Sequence, residues 1–104
     1  MSATEIKSLD ELDSVLANSK RVLVDFHAIG WCVPCRRLVP HIDSLADKVE
    51  DVTFVKVDID EVDGAKDRFE IMSVPTLYLF EDGEFSRNVI GRTSVQIKTE
   101  LAAE

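Results

Sequence analysis

Val22-Leu23-Val24-Asp25-Phe26 runs through His27-Ala28-Ile29-Gly30 into Trp31-Cys32-Val33-Pro34-Cys35, and this stretch decides the architecture. Its first five residues are a nearly continuous apolar run rich in β-branched side chains, the pattern of a strand buried on both faces. Beyond the loop, Leu38, Ile42, Leu45 and Val49 recur at helical spacing, which predicts a helix from about Pro34 to Val49. Pro34 suits the first turn, where its missing N–H costs nothing, and Pro40 should kink the helix further in.

Outward from this unit the elements alternate. Upstream, Ser8-Leu9-Asp10-Glu11 is a capping box opening a helix with Leu9, Leu12, Val15 and Leu16 on one face, after a short strand at Glu5 to Lys7. Downstream, Val52 to Ile59 reads as a second buried strand and Asp63 to Phe69 as a short helix or turn. Thr76-Leu77-Tyr78-Leu79-Phe80 is a further strand, and Asp82-Gly83 centres a hairpin turn that returns through Phe85 to Ile90. Thr93 caps a last helix that buries Ile97 and Leu101. The order β-α-β-α-β-α-β-β-α places parallel crossovers first and an antiparallel hairpin last. It predicts an α/β fold: a central mixed sheet flanked by helices on both faces, in a single domain spanning residues 1–104.

Composition narrows the function. Twelve Lys and Arg against twenty Asp and Glu leave a formal charge of −8, which repels phosphate backbones and anionic lipid and argues against nucleic-acid or membrane-surface partners. No apolar run approaches the roughly 20 residues of a membrane span. Met1 to Asp10 holds no apolar signal core ahead of the first charges, so a cytoplasmic location is expected. The two cysteines stand three apart, too close to staple a long loop, which rules out a structural disulfide scaffold.

A C-x-x-C at a strand-to-helix transition has a specific chemical use. Cys32 lies where unpaired helical N–H groups favour a thiolate, and one helical turn brings Cys35 within disulfide range. Cys32 can then attack an external disulfide and Cys35 can resolve the product, with Cys32 the more exposed sulfur and Cys35 the buried one. Half of a zinc site is the competing reading. Zinc takes four ligands, and the other candidates, His27 on a strand and His41 in a helix, are not placed to converge, so redox chemistry is favoured and no metal is expected.

These residues resemble the thioredoxin family. Trp31-Cys32-Val33-Pro34-Cys35 is similar to its W-C-G-P-C site, Val24-Asp25-Phe26 to the strand before it, Val74-Pro75-Thr76 to its cis-proline loop, and Ile90-Gly91 to the glycine beside its substrate groove. Lys56-Val57-Asp58-Ile59-Asp60 matches its third strand and exit, and the order agrees from about Ile6 to Leu101. The resemblance implies the thioredoxin fold, reduction of protein disulfides without a bound cofactor, recharging by a thioredoxin reductase, and a monomer. There are three departures. The segment between Asp25 and Cys32 is one residue longer than the family's, so Ala28-Ile29-Gly30 must bulge; Val33 replaces the common glycine; and His27 stands where an aromatic or small residue is frequent.

Two charges interrupt apolar strands, Asp25 and Lys56. Lone buried charges are costly, so such residues are usually paired, neutralised or at an edge. The resemblance places both beneath Cys35, with Asp25 as its proton acceptor through water and Lys56 modulating that carboxylate. It likewise implies a cis bond before Pro75 that turns the backbone of Val74 toward the disulfide, ready to pair with an extended substrate. Trp31, Val33, Val74 and Ile90 would form an apolar rim around Cys32, beside Pro34 and Gly91. His27 reads as a surface or half-buried filler, or as a group titrating near neutrality, and His41 as solvated helix surface. Two other readings stay open: a binding module in which redox turnover is secondary, and a dimer sharing two C-x-x-C pairs around a metal or iron–sulfur centre.

Overall fold

The Ser8 hydroxyl accepts the Glu11 N–H at 3.1 Å and starts the first helix, while the Glu11 carboxylate reaches back one residue past the cap to accept the Lys7 N–H at 2.6 Å. In the computed structural model, which describes residues 3–103, the elements are β1 (Thr4–Glu5), α1 (Leu9–Asn18), β2 (Arg21–His27), α2 (Val33–Lys48), β3 (Thr53–Asp58), α3 (Ala65–Arg68), β4 (Thr76–Glu81), β5 (Glu84–Val89) and α4 (Ser94–Ala102). Their order is the expected one. The first strand ends earlier than the predicted Glu5 to Lys7: Ile6 N–H still donates to the Lys56 carbonyl, but the Lys7 N–H is taken by Glu11. The last strand stops at Val89, because the Ile90 N–H turns to the Glu100 carboxylate.

The sheet order is β1-β3-β2-β4-β5, with β1, β3 and β2 parallel and β4 and β5 antiparallel. Alternation along β2 sends Leu23 into one core with Leu38, Ile42 and Leu45 of α2 and with Ile97 and Leu101 of α4. Val22, Val24 and Phe26 enter the other core with Leu12 and Leu16 of α1 and Ala65 of α3. The helices thus cover both faces, and β2, central in the sheet, is buried along nearly its whole length. The β4–β5 turn has positive φ at both Asp82 and Gly83, the geometry that matches strand twist in a two-residue hairpin. Helix α2 continues through Pro40, which lies on its exposed side. No helix among the described residues is long and apolar enough to cross a membrane.

Candidate active site

Where β2 leaves the sheet, the Ala28 carbonyl accepts the N–H of Trp31 at 3.3 Å and that of Cys32 at 2.9 Å. The Ala28-Ile29-Gly30 segment thus closes as a turn rather than an open bulge. Arg36, one turn into α2, holds it from the other side, donating to the carbonyls of Ile29 at 2.7 Å and Gly30 at 2.9 Å. Asp58 at the end of β3 accepts the Ile29 N–H at 3.2 Å. The Trp31 indole donates to Asp60 at 2.9 Å, which fixes the ring while leaving the residue 63% exposed.

Cys32 is the N-cap of α2, with Val33 and Pro34 in the first turn. It forms a disulfide with Cys35 across a Cα–Cα distance of 5.2 Å, and its sulfur accepts the Cys35 N–H at 3.2 Å. Cys35 is fully buried. Cys32, expected to be the exposed sulfur, is 4% exposed, because in the disulfide its Sγ turns toward Cys35 and lies 3.8 Å from the Val74 carbonyl oxygen. The Val74–Pro75 peptide bond is cis. Arg92 ties this loop to the next one: its guanidinium donates to the Pro75 carbonyl at 3.1 Å and to those of Val89, Ile90 and Gly91. Glu100 of α4 accepts the N–H groups of Ile90 and Gly91. Trp31, Val33 and Ile90 are exposed and Val74, beside Cys32, is half-buried; a mostly apolar cleft of about 280 Å³ lies between Pro34 and Pro75.

The family profile described as Thioredoxin matches residues 3–103. Thioredoxin-1 of Saccharomyces cerevisiae is 36% identical over 100 residues, covering 96% of each chain. A thioredoxin of Mycoplasmoides gallisepticum is 43% identical over 81 residues, 78% of this chain and 80% of that one. A solved thioredoxin of Plasmodium falciparum superposes with a TM-score of 0.87 at 30% identity, over 97% of this chain and 100% of the other. The chain belongs to the thioredoxin family. As a thioredoxin it is a thiol–disulfide oxidoreductase, and the Cys32–Cys35 pair is its redox-active group.

In this thioredoxin Asp25 is fully buried in β2. Strand register sets it opposite Lys56, as neighbouring strands require, but the Lys56 ammonium reaches Asp43 of α2 at 3.1 Å. The nearest charged partner of the Asp25 carboxylate is instead His27, whose Nδ1 lies 3.5 Å from Oδ2. His27 is 1% exposed, not a surface filler, and its Nε2 lies 3.7 Å from the Glu5 carboxylate. Burial pulls its pKa down, yet Asp25, then Glu5 and Asp58, favour the charged ring more strongly and hold it above the ordinary histidine value. His41 departs from its expected solvated position: half-buried, it accepts the Ser94 N–H at 3.0 Å where α4 begins. Gly91 sits where a Cβ would lie 2.7 Å from Gln96 Cβ, which explains a glycine beside the groove.

Several contributors escaped the sequence reading. Arg36, Arg92 and Glu100 shape the loops through backbone carbonyls and amides that are distant in sequence or carry no motif. Met72, 96% exposed and three residues before Pro75, adds an apolar side chain next to the cis-proline loop. An unburied methionine close to a motif loop was its only available signal.

Proposed function

We propose that the chain reduces disulfides of partner proteins as a monomer in the cytoplasm and is recharged by a thioredoxin reductase. The observation that carries this is the Cys32–Cys35 disulfide at the start of α2, with Cys32 Sγ 3.8 Å from the Val74 carbonyl oxygen and the neighbouring Trp31 and Val33 exposed. An extended substrate segment adds along Val74 by backbone hydrogen bonds while Trp31, Val33 and Ile90 hold its apolar side chains, with Pro34, Pro75 and Gly91 shaping the floor.

In the dithiol form the Cys32 thiolate attacks one substrate sulfur, and the other leaves as a thiolate. Cys35 then gives its proton to Asp25, and its thiolate attacks Cys32 Sγ. The new S–S bond expels the remaining substrate sulfur with the electron pair of the mixed disulfide. Two electrons have passed to the substrate. Lys56, paired with Asp43, modulates the field at Asp25.

Insulin reduction followed with NADPH and a thioredoxin reductase tests this reading. Catalytic turnover with a strongly reducing Cys32–Cys35 potential, measured against glutathione, supports it. No acceleration over buffer favours a binding module instead.

A further inference from the structure

We propose that His27 is a positioning residue in a proton path from Asp25, across the imidazole ring, to Glu5 and the cleft that opens beside it. The inference rests on Asp25 being the proton acceptor of Cys35.

Strand alternation puts Asp25 and His27 on the same face of β2, toward α2. Both are buried, and neither carboxylate oxygen nor either ring nitrogen has a hydrogen-bond partner among the described residues. Two adjacent buried polar groups left in that state cost stability, which calls for a functional account. Their spacing supplies one. Nδ1 lies 3.5 Å from Asp25 Oδ2 and Nε2 lies 3.7 Å from Glu5 Oε2, so the ring bridges a fully buried carboxylate and one on a side chain 42% exposed. A cleft of about 310 Å³ borders this ring; Glu5, His27, Arg36 and Lys56 line it, and Asp25 does not.

The surrounding charges are otherwise engaged. Lys56 of β3 pairs with Asp43 of α2. Arg36 of α2 donates to the Ile29 and Gly30 carbonyls. Asp58 at the end of β3 accepts the N–H groups of Ile29 and Asp60. That leaves Asp25, His27 and Glu5 as the chain along which a proton can move.

A neutral imidazole can accept at one nitrogen while releasing at the other. When Cys35 resolves a mixed disulfide, its proton goes to Asp25. The resulting carboxylic acid passes it to Nδ1, and the Nε2 proton moves to Glu5 and then to bulk water. No electrons move along this path, and Asp25 is restored as a carboxylate. The path needs the neutral ring, so the resolving step should accelerate as pH rises through the titration of His27, which lies above the ordinary histidine value.

Stopped-flow reaction of the reduced protein with dithiobis(nitrobenzoate) separates the two thiols. The first nitrothiolate released reports attack by Cys32 and the second reports attack by Cys35. In the unmodified protein the second release should rise with pH, with a midpoint that coincides with the His27 ring titration followed by NMR. His27→Gln keeps a polar side chain but does not titrate. It should lose that inflection and slow the second release about tenfold, less than the roughly hundredfold minimum for a group acting directly on the reacting atoms, because His27 acts through Asp25. Asp25→Asn should lower the His27 midpoint. A second release whose midpoint differs from that of His27 overturns the path, and needs no variant to show it. So does an unchanged second release in His27→Gln, or a His27 midpoint indifferent to Asp25→Asn. An unmodified protein that gives a first release and no second refutes the reductase reading itself, and the path falls with it.

Discussion

The Arg92 guanidinium donates to the Pro75 carbonyl at 3.1 Å, joining the loop that precedes β4 to the loop that follows β5. The same group lies 3.1 Å from the Val89 carbonyl oxygen and 2.9 Å from those of Ile90 and Gly91. One planar, charged fork thereby ties the Val89–Gly91 backbone to the segment that follows Val74, which lies beside Cys32.

Arg92→Ala should therefore weaken docking more than chemistry. The expected result is a several-fold rise in KM for insulin with a smaller change in kcat, and a stability loss of about 1–3 kcal/mol for hydrogen bonds from a charged donor. Arg92→Lys should recover only part of the loss, because an ammonium lacks the planar fork. Steady-state reduction kinetics and urea midpoints on the three proteins check it. An unchanged KM in Arg92→Ala would show that the two loops hold their places without it.

Gly91→Ala tests the other side of the same loop. The added methyl would lie 2.7 Å from Gln96 Cβ and 2.8 Å from a Glu100 carboxylate oxygen. Gln96 Cβ is not the free end of a side chain, and Glu100 is committed to the N–H groups of Ile90 and Gly91. Neither can yield cheaply, so a loss of about 1–3 kcal/mol is expected, typical of an overpacked site. Equal denaturant midpoints for the two proteins would refute the close packing.

The two cysteines should behave differently once reduced. Cys32 caps α2, where the helix N-terminus favours a thiolate, whereas Cys35 lies one turn inside the helix and is fully buried. Iodoacetamide at neutral pH should label Cys32 first. Cys35→Ser should accumulate mixed disulfides through Cys32, and Cys32→Ser should not. Mass spectrometry of both variants after incubation with a disulfide substrate reads the outcome, and equal trapping would reverse the assignment of attacking and resolving thiols.

What could be read from the sequence was local in cause. Ser8 and Glu11 cap α1, Asp82-Gly83 makes the hairpin, and Thr93 accepts the Gln96 N–H to start α4, each within four residues. The C-x-x-C pair needed only one helical turn. Partners set by the packing of separate elements were out of reach. Lys56 was expected to act on Asp25 because their strands are adjacent, and they are, yet a four-carbon stem lets its ammonium reach Asp43 on α2. Nothing near His27 in sequence announces Glu5, which arrives on β1 through β3, or shows that the ring is buried. His41 meets Ser94 only because α2 and α4 share a face.

Stability should carry the mark of His27 independently of any rate. Its folded pKa lies above the ordinary value of about 6.5, since Asp25, Glu5 and Asp58 outweigh the burial that would lower it. The folded state thus binds that proton more tightly than the unfolded chain does. The stabilisation is complete below the unfolded value and is lost as pH rises through the folded one. His27→Gln has no proton to bind, so the difference in unfolding free energy between the unmodified protein and this variant should be largest near pH 5 and shrink toward pH 9. Urea titrations of both proteins across that range give the difference directly, with titrating groups remote from the ring cancelling and the coupled Asp25, Glu5 and Asp58 included in it. A difference that stays flat, or that grows with pH, would mean that the carboxylates around the ring do not favour its charged form.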